Sequence, residues 1–327
     1  MNRNYRSTRR LFAAFLLASN IAVAEDACEP PRIGLALGSG GAGGLAHIAM
    51  LEVFETMQIE PAAVAGTSIG AIIATLHAAG LESGQIQQLF REFGESALNP
   101  FSGLLTDNGA PGWRELVEID LANGSFIDAS GFIEFIAERF DARSFAELDK
   151  PLVIVATDYW SGEAQVFRTG ELLTPLKASM AVPGLFAPVA LGDKLLIDGG
   201  ASNPLPLDLL EDVDFVVAID VSGTRREARD GKPNITDLLF STFEIMQQSI
   251  VREKAEHASP DIYIKPELPG IRLLHFDRVD RRPQRERKYP QHHSPSMPVS
   301  TRLPKVTRIL FTPQHPPSLT HTVCRLP

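Results

Sequence analysis

Cysteine is nearly absent: two in 327 residues, Cys28 and Cys324, near opposite ends of the chain. Neither stands in a Cys/His spacing suited to a metal, so a zinc-held fold is excluded and neither reads as a nucleophile. A disulfide between them would require an oxidising compartment. Positive charge is equally scarce where it would matter for nucleic acid. Residues 1–24 carry four arginines and no acid (+4), and residues 277–327 carry ten basic against three acidic residues (+7), so of the net −9 the segment 25–276 holds −20. An acidic central segment excludes nucleic acid as a partner, because phosphate binding needs a basic face. It also argues against strong electrostatic capture by anionic lipid. Apolar content of 44% is ordinary for a protein with a buried core.

The N-terminus has the three parts of an export signal. Arg3, Arg6, Arg9 and Arg10 precede the apolar run Leu11–Ala18, and Ala22-Val23-Ala24 stands before Glu25-Asp26. Cleavage after Ala24 is expected, giving a periplasmic or secreted protein. The apolar run is short for a spanning helix, so an uncleaved anchor is the alternative. At the other end, residues 277–327 hold nine prolines and four histidines with little apolar periodicity. Such sequence cannot bury enough surface to offset its ordering entropy and reads as disordered. His292-His293 lacks further spaced ligands and reads as solvated tail.

Between these ends the chain is organised around Gly66-Thr67-Ser68-Ile69-Gly70. It lies between a short apolar run, Ala62–Ala65, and an apolar helical run, Ala71–Leu76. Strand, sharp turn and helix in that order hold a serine hydroxyl up at the end of a sheet, above free helix N–H groups. The bland alternative is a Gly-rich turn whose serine caps the helix. Upstream, the strand-like run Arg32–Leu37 breaks into Gly38-Ser39-Gly40-Gly41-Ala42-Gly43-Gly44, followed by a helix with Leu45, Ile48, Leu51 and Phe54 on one face. A glycine loop there suits a dinucleotide turn, an oxyanion loop, or a tight turn without a ligand. A dinucleotide site wants an acidic residue at the end of the second strand, where this chain has the Ser68 turn.

Further on, a helix is expected with Ile86, Leu89, Phe90 and Phe93 inward, then a weakly structured stretch over 97–128 suited to an active-site cover or a surface loop. A helix over about 130–140, a central strand at 152–157, a strand near 165–167 and a short helix capped by Thr174 follow. Strands are expected at 194–197, 214–221 and 261–265, with a long helix from about Thr236. Alternating strands and helices imply a layered α/β domain with a mainly parallel sheet.

Ser68 needs a base. His257 falls in a polar helical stretch and His275 near the end of the folded segment; His47 and His77 lie in helices and read as packed. No histidine sits in a Gly-rich strand-end turn. Asp198 does: it ends the strand Lys194–Ile197 and is followed by Gly199-Gly200. It could take the Ser68 proton directly, or be a plain β-turn aspartate.

The glycine loop, Gly66–Gly70, Ala156-Thr157-Asp158, the run Ala178–Phe186 and Asp198-Gly199-Gly200 occur in this order. That set resembles the patatin-like phospholipase family over about residues 32–276. The resemblance implies an α/β/α sandwich, a catalytic pair at Ser68 and Asp198, and an oxyanion hole from the amides around Gly40, Gly41 and Ala42. It implies acyl-ester hydrolysis of phospholipid or lysophospholipid at a membrane surface touched transiently, with no metal or other cofactor. Two departures stand out. The family usually has a basic residue, most often arginine, where this chain has Gly43; activity is still expected, with less support for the oxyanion loop or for an anionic headgroup. The family also continues into ordered structure where Arg281-Arg282-Pro283 intervenes here, for which a truncated or frame-shifted end is one reading. The competing function is a catalytically silent lipid- or protein-binding module. A Ser-His-Asp enzyme using His257 or His275 is a third. Protein partners are not indicated.

Overall fold

The chain's central strands are near-continuous apolar runs, as strands covered on both faces must be. A computed structural model describes residues 30–95, 130–223, 235–268 and 306–311. The expected export signal, the 97–128 stretch and most of the 277–327 tail lie outside the described residues, as do Cys28, Cys324, His275 and His292-His293.

In chain order the elements are β1 (Ile33–Leu37), a 3-10 turn (Gly41–Gly44), α1 (Leu45–Thr56), β2 (Ala63–Thr67), α2 (Ile69–Ala78), α3 (Ser83–Glu95) and α4 (Ser130–Ala137). There follow β3 (Leu152–Asp158), β4 (Ala164–Phe167), α5 (Leu173–Ser179), β5 (Val189–Leu191), β6 (Lys194–Asp198), β7 (Phe215–Ile219), α6 (Ile235–Ala258), β8 (Ile262–Pro266) and β9 (Val306–Phe311). Sheet order is β5-β6-β3-β2-β1-β7-β8-β9, with β4 also pairing β3. The middle five strands are mutually parallel. β4, β5, β6 and β9 pair antiparallel, so the sheet is mixed around a parallel centre. β9 falls in the segment that reads from sequence as disordered; five of its six residues pair with β8, with a register shift between Lys265 and Pro266.

Period-2 alternation divides the two faces of the sheet. Leu35, Leu37, Val217 and Ile219 join the large core with Ile48 and Leu51 of α1, Ile72 of α2 and Phe90 and Phe93 of α3. Ala36 and Ala218, pointing the other way, pack with Leu205, Leu207 and Val251 of α6. Small residues on that face let the long helix come close. Helices on both faces of one sheet make a three-layer α/β/α sandwich. α2 is apolar nearly all round and has nine buried residues out of ten, as a core helix should.

One local expectation is corrected. α5 opens at Leu173, so Thr174 lies inside the first turn and its own N–H needs an acceptor. Glu171 provides it: its carboxylate accepts from Leu173 N at 2.9 Å and Thr174 N at 3.0 Å. An acidic side chain there also suits the positive end of the helix.

Phe93 is 1% exposed and its ring lies 4.6 Å from that of Phe132, joining α3 to α4. Phe93→Ala is expected to cost about 3–5 kcal/mol in urea unfolding; a loss under about 1 kcal/mol would mean that α3 is not docked as described.

Candidate active site

Ser68 follows β2 directly and takes φ 57° and ψ −127°, outside the regions an L-residue adopts without strain. The turn is tight because its two glycines allow it. A Cβ on Gly66 would sit 2.6 Å from the Ala71 nitrogen, and one on Gly70 would run into the Leu37 carbonyl oxygen. The serine therefore stands where Gly-x-Ser-x-Gly predicts, above the first turn of α2. It makes no side-chain cap bond to the helix, which removes the bland reading of the motif.

Sheet register brings the aspartate to it. β2 is parallel to β3 with Thr67 opposite Val155, and β6 is antiparallel to β3 with Asp198 opposite Ala156. The end of β3 thus separates two turns that face one another across it. Ser68 Oγ donates to Asp198 Oδ2 at 2.6 Å, and Gly200 N donates to Oδ1 at 2.6 Å. The backbone of the Asp198 turn is fixed as well. Thr157 Oγ1 donates to the Asp198 carbonyl at 2.9 Å, and Thr67 Oγ1 donates to the Asn203 carbonyl at 2.8 Å, stitching one turn to the other.

Asp198 is fully buried, and burial pushes its pKa from 3.8 up to about 7, although the bonds from Ser68 and Gly200 favour the anion. A carboxyl group so placed is a base matched to neutral pH. Of the two histidines considered from sequence, His275 lies outside the described residues, and His257 is exposed on α6 with its Nδ1 engaged by the Glu253 carbonyl of its own helix. The structure brings Ser68 and Asp198 together without it.

The glycine loop lies against this turn. A Cβ on Gly44 would strike the Ile69 side chain, one residue past Ser68. Among the described residues, the N–H groups of Gly40, Gly41 and Ala42 make no hydrogen bond, while the Gly43 N–H closes the turn onto the Gly40 carbonyl at 3.0 Å. Free amides in a loop packed against the Ser68 turn are donors of the kind an oxyanion requires. The loop is held from behind by groups that motif reading passed over. His47, fully buried in α1, donates from Nε2 to the Gly38 carbonyl at 2.8 Å. Val221 lies against the loop, since a Cβ on Gly43 would be 2.9 Å from its carbonyl oxygen. Its neighbour Asp220 is buried and accepts from Lys265 Nζ at 2.6 Å, Tyr263 Oη at 2.5 Å and Ser222 N at 2.9 Å. Burial works against the Asp220 anion, yet the Lys265 charge and these donors hold its pKa below the ordinary value. Asp220 ends the apolar run of β7 as Asp198 ends that of β6, which is the one sequence signal that could have singled it out. Among the described residues no group of three His, Cys, Asp or Glu side chains is placed to hold a metal ion.

Burial lowers the His47 pKa from 6.5 to about 4, against the pull of the Gly38 carbonyl and the Asp220 charge. Between those values the unfolded chain carries the extra proton, so His47 makes stability fall as pH falls through that window. His47→Gln keeps a donor for Gly38 and does not titrate. From pH 7 to pH 4 the wild type should lose about 3 kcal/mol relative to the variant in urea unfolding. Asp198 titrates alike in both proteins and drops out of the comparison. Parallel stability curves would show that His47 is not a buried neutral imidazole.

Comparison with known proteins bears on the same residues. An NTE family protein of Mycobacterium tuberculosis, itself uncharacterised, is 31% identical over 209 residues, covering 63% of this chain and 54% of that protein. Patatin-like phospholipase domain-containing protein 6 of Homo sapiens is 30% identical over 193 residues, covering 58% of this chain and 13% of that protein. This chain thus spans about half the length of the mycobacterial relative and a small part of the human one. VipD from Legionella pneumophila, a solved structure, aligns at 15% identity with TM-score 0.40 over 76% of this chain and 66% of that chain, a likeness too loose to bear on the site. The sequence model of patatin-like phospholipases matches residues 35–211, more than half the chain, and takes in the glycine loop, Ser68 and Asp198. On that match the chain belongs to the patatin-like phospholipase family.

Proposed function

We propose that this protein hydrolyses acyl esters of lipids, with Ser68 as nucleophile and Asp198 as its base. The observation that carries the reading is the Ser68 hydroxyl donating at 2.6 Å to a carboxylate that is wholly out of water. Asp198 takes the hydroxyl proton as Ser68 Oγ attacks the ester carbonyl, and the amides of Gly40, Gly41 and Ala42 receive the negative charge on the carbonyl oxygen. Collapse of the tetrahedral intermediate expels the alcohol, which takes the proton back from Asp198. A water molecule, deprotonated by Asp198, then attacks the acyl-enzyme, and the fatty acid leaves as Ser68 Oγ takes the proton back from Asp198. No step calls for a metal or other cofactor.

Phospholipid is the substrate class that the names of the related proteins suggest, and the family resemblance adds lysophospholipid. Exposed apolar side chains support transient contact with a lipid surface. Tyr159 and Trp160, 55% and 71% exposed, follow β3 at the edge where Ser68 follows β2. Leu238, Leu239, Ile245 and Met246 are exposed on α6 ahead of Gln248, whose side chain meets the Ser222 carbonyl just past β7. The reading extends to location: residues 1–24 direct export and are removed. N-terminal sequencing of exported protein beginning at Glu25 would bear this out, and retention of residue 1 would favour the anchor.

The first experiment is hydrolysis of a short-chain p-nitrophenyl ester by the wild type beside Ser68→Ala and Asp198→Asn. Each variant should lose at least about 10³-fold in kcat/KM. In the wild type kcat/KM should climb with pH and level off above about 7, falling about tenfold per pH unit below, because only ionised Asp198 accepts the proton. Full activity in either variant overturns the assignment. No turnover in the folded wild type, together with no labelling of Ser68 by a fluorophosphonate, would leave the silent binding module as the better reading.

A further inference from the structure

Three consecutive residues at the end of α5 each touch the Ser68–Asp198 pair. Ser179, fully buried, accepts the Ser68 N–H on its Oγ at 2.8 Å and donates its own proton to the Val155 carbonyl at 2.7 Å. Met180 Sδ lies 3.8 Å from Ser68 Oγ. The Ala181 carbonyl accepts the Asp198 N–H at 2.9 Å. Val155 is the residue of β3 opposite Thr67, so the Ser179 hydroxyl joins the helix end to the strand that lies between the two turns.

The geometry points to Ser179 as a positioning residue that locks Ser68 in the conformation from which its hydroxyl reaches Asp198, with Met180 and Ala181 completing a clamp on the pair. The inference rests on the hydrolase reading for its meaning, but its physical content does not. A serine at φ 57° is strained and persists only where its surroundings hold it. Its N–H points away from solvent, and Ser179 Oγ is its acceptor. This same bond takes the Ser68 amide out of the set that could stabilise an oxyanion, leaving that role to other amides. Met180, a soft unbranched side chain, fills the space beside the hydroxyl without offering a strong competing acceptor. Without the Ser179 hydroxyl the turn can relax toward an unstrained backbone, and Ser68 Oγ then moves off Asp198.

Loss of that bond has a signature beyond stability. Ser68 donates to Asp198 and favours its anion, so relaxing Ser68 raises the Asp198 pKa further. The groups bonded to Asp198 are Ser68 from the turn after β2, Gly200 on its own turn, and the Ala181 carbonyl past the end of α5, with Met180 lying against Ser68 Oγ. From α6, Gln247 approaches Gly200, and no charged side chain contributes to the shift. The titration therefore reports on the Ser68 bond.

The test compares Ser179→Ala, Ser179→Cys and Ser179→Thr with wild-type protein. Asp198 is titrated by carboxyl ¹³C NMR, and ester turnover is measured on the same samples. Ser179→Ala should raise the Asp198 midpoint by about one pH unit and lower kcat by about 10–100-fold with KM within about twofold. Ser179→Cys, close in volume but a weak hydrogen-bonding partner, should shift both the same way and remains informative if the alanine variant fails to fold. Ser179→Thr, which keeps the hydroxyl, should return the midpoint to the wild-type value. A Ser179→Cys midpoint and kcat equal to wild type overturn the clamp, whatever happens to the melting temperature. If the wild type hydrolyses nothing, the hydrolase reading fails while the NMR midpoints still decide the clamp.

Discussion

Keeping Asp198 out of water costs free energy, because an ionised carboxylate loses its hydration on burial. The bonds from Ser68 and Gly200 recover part of that cost and leave the pKa near 7. A solvated aspartate, ordinarily ionised at pH 4, would be a much weaker base toward a serine hydroxyl. Burial supplies basicity that hydrogen bonding alone would remove. This balance explains why the neighbourhood is built from backbone contacts and small residues rather than charges: a cation beside Asp198 would hold it ionised and undo the effect. It also explains the isolation of His257, exposed on a helix surface with its Nδ1 engaged by its own backbone. A histidine ordinarily mediates between a serine and a distant carboxylate, and here the carboxylate is already in contact.

The sheet makes that contact possible by reversing one strand. Had β6 run parallel to β3, Asp198 would leave the same edge as Ser68 only after a crossover of a dozen or more residues. Antiparallel pairing lets β6 enter from the hairpin with β5 and end with Asp198 opposite Ala156, one strand away from Ser68. Thr157 and Thr67, from adjacent strand ends, then bond to the Asp198 turn. The reversal also explains why the sheet is mixed although its middle is parallel.

How much of this the sequence discloses depends on the range of each interaction. The strand–turn–helix around Ser68 is legible because its causes are local: two glycines, an apolar run on either side and one strained residue. Asp198 is legible only in part, since a carboxylate ending an apolar strand before two glycines suits a β-turn equally; the order of the motifs along the chain, resembling that of the family, is what singles it out. The direction of β6 is not, because Lys194–Asp198 reads alike in either orientation. Ser179 is hidden for a similar reason; it reads as the polar end of a short helix, and its role depends on Ser68 lying 111 positions earlier. His47 reads from its helix as a packed residue, yet its bond to Gly38 needs the helix to fold back over the loop. The Thr174 cap fails through a two-residue difference in where α5 begins, which periodicity does not resolve.

Gly43 is where local sequence and surrounding structure bear on each other most closely. A basic side chain expected there could support the glycine loop or face an anionic substrate group. In this chain the loop is supported by other means: His47 holds the Gly38 carbonyl, Ile219 and Pro204 carbonyls accept the Gly38 and Ser39 N–H groups at 3.0 and 2.8 Å, and Val221 packs across the back. With Leu268 Cδ1 3.2 Å and the Val221 carbonyl 2.9 Å from where a Cβ would stand, the loop as folded has closed over the position. An arginine would therefore have to displace backbone before it could support anything. The physical consequence of Gly43 lies in charge rather than shape: the free amides of Gly40, Gly41 and Ala42 remain, while a cation beside them does not. Any negative charge that develops at this loop meets amide dipoles alone, with no side-chain cation to add to them.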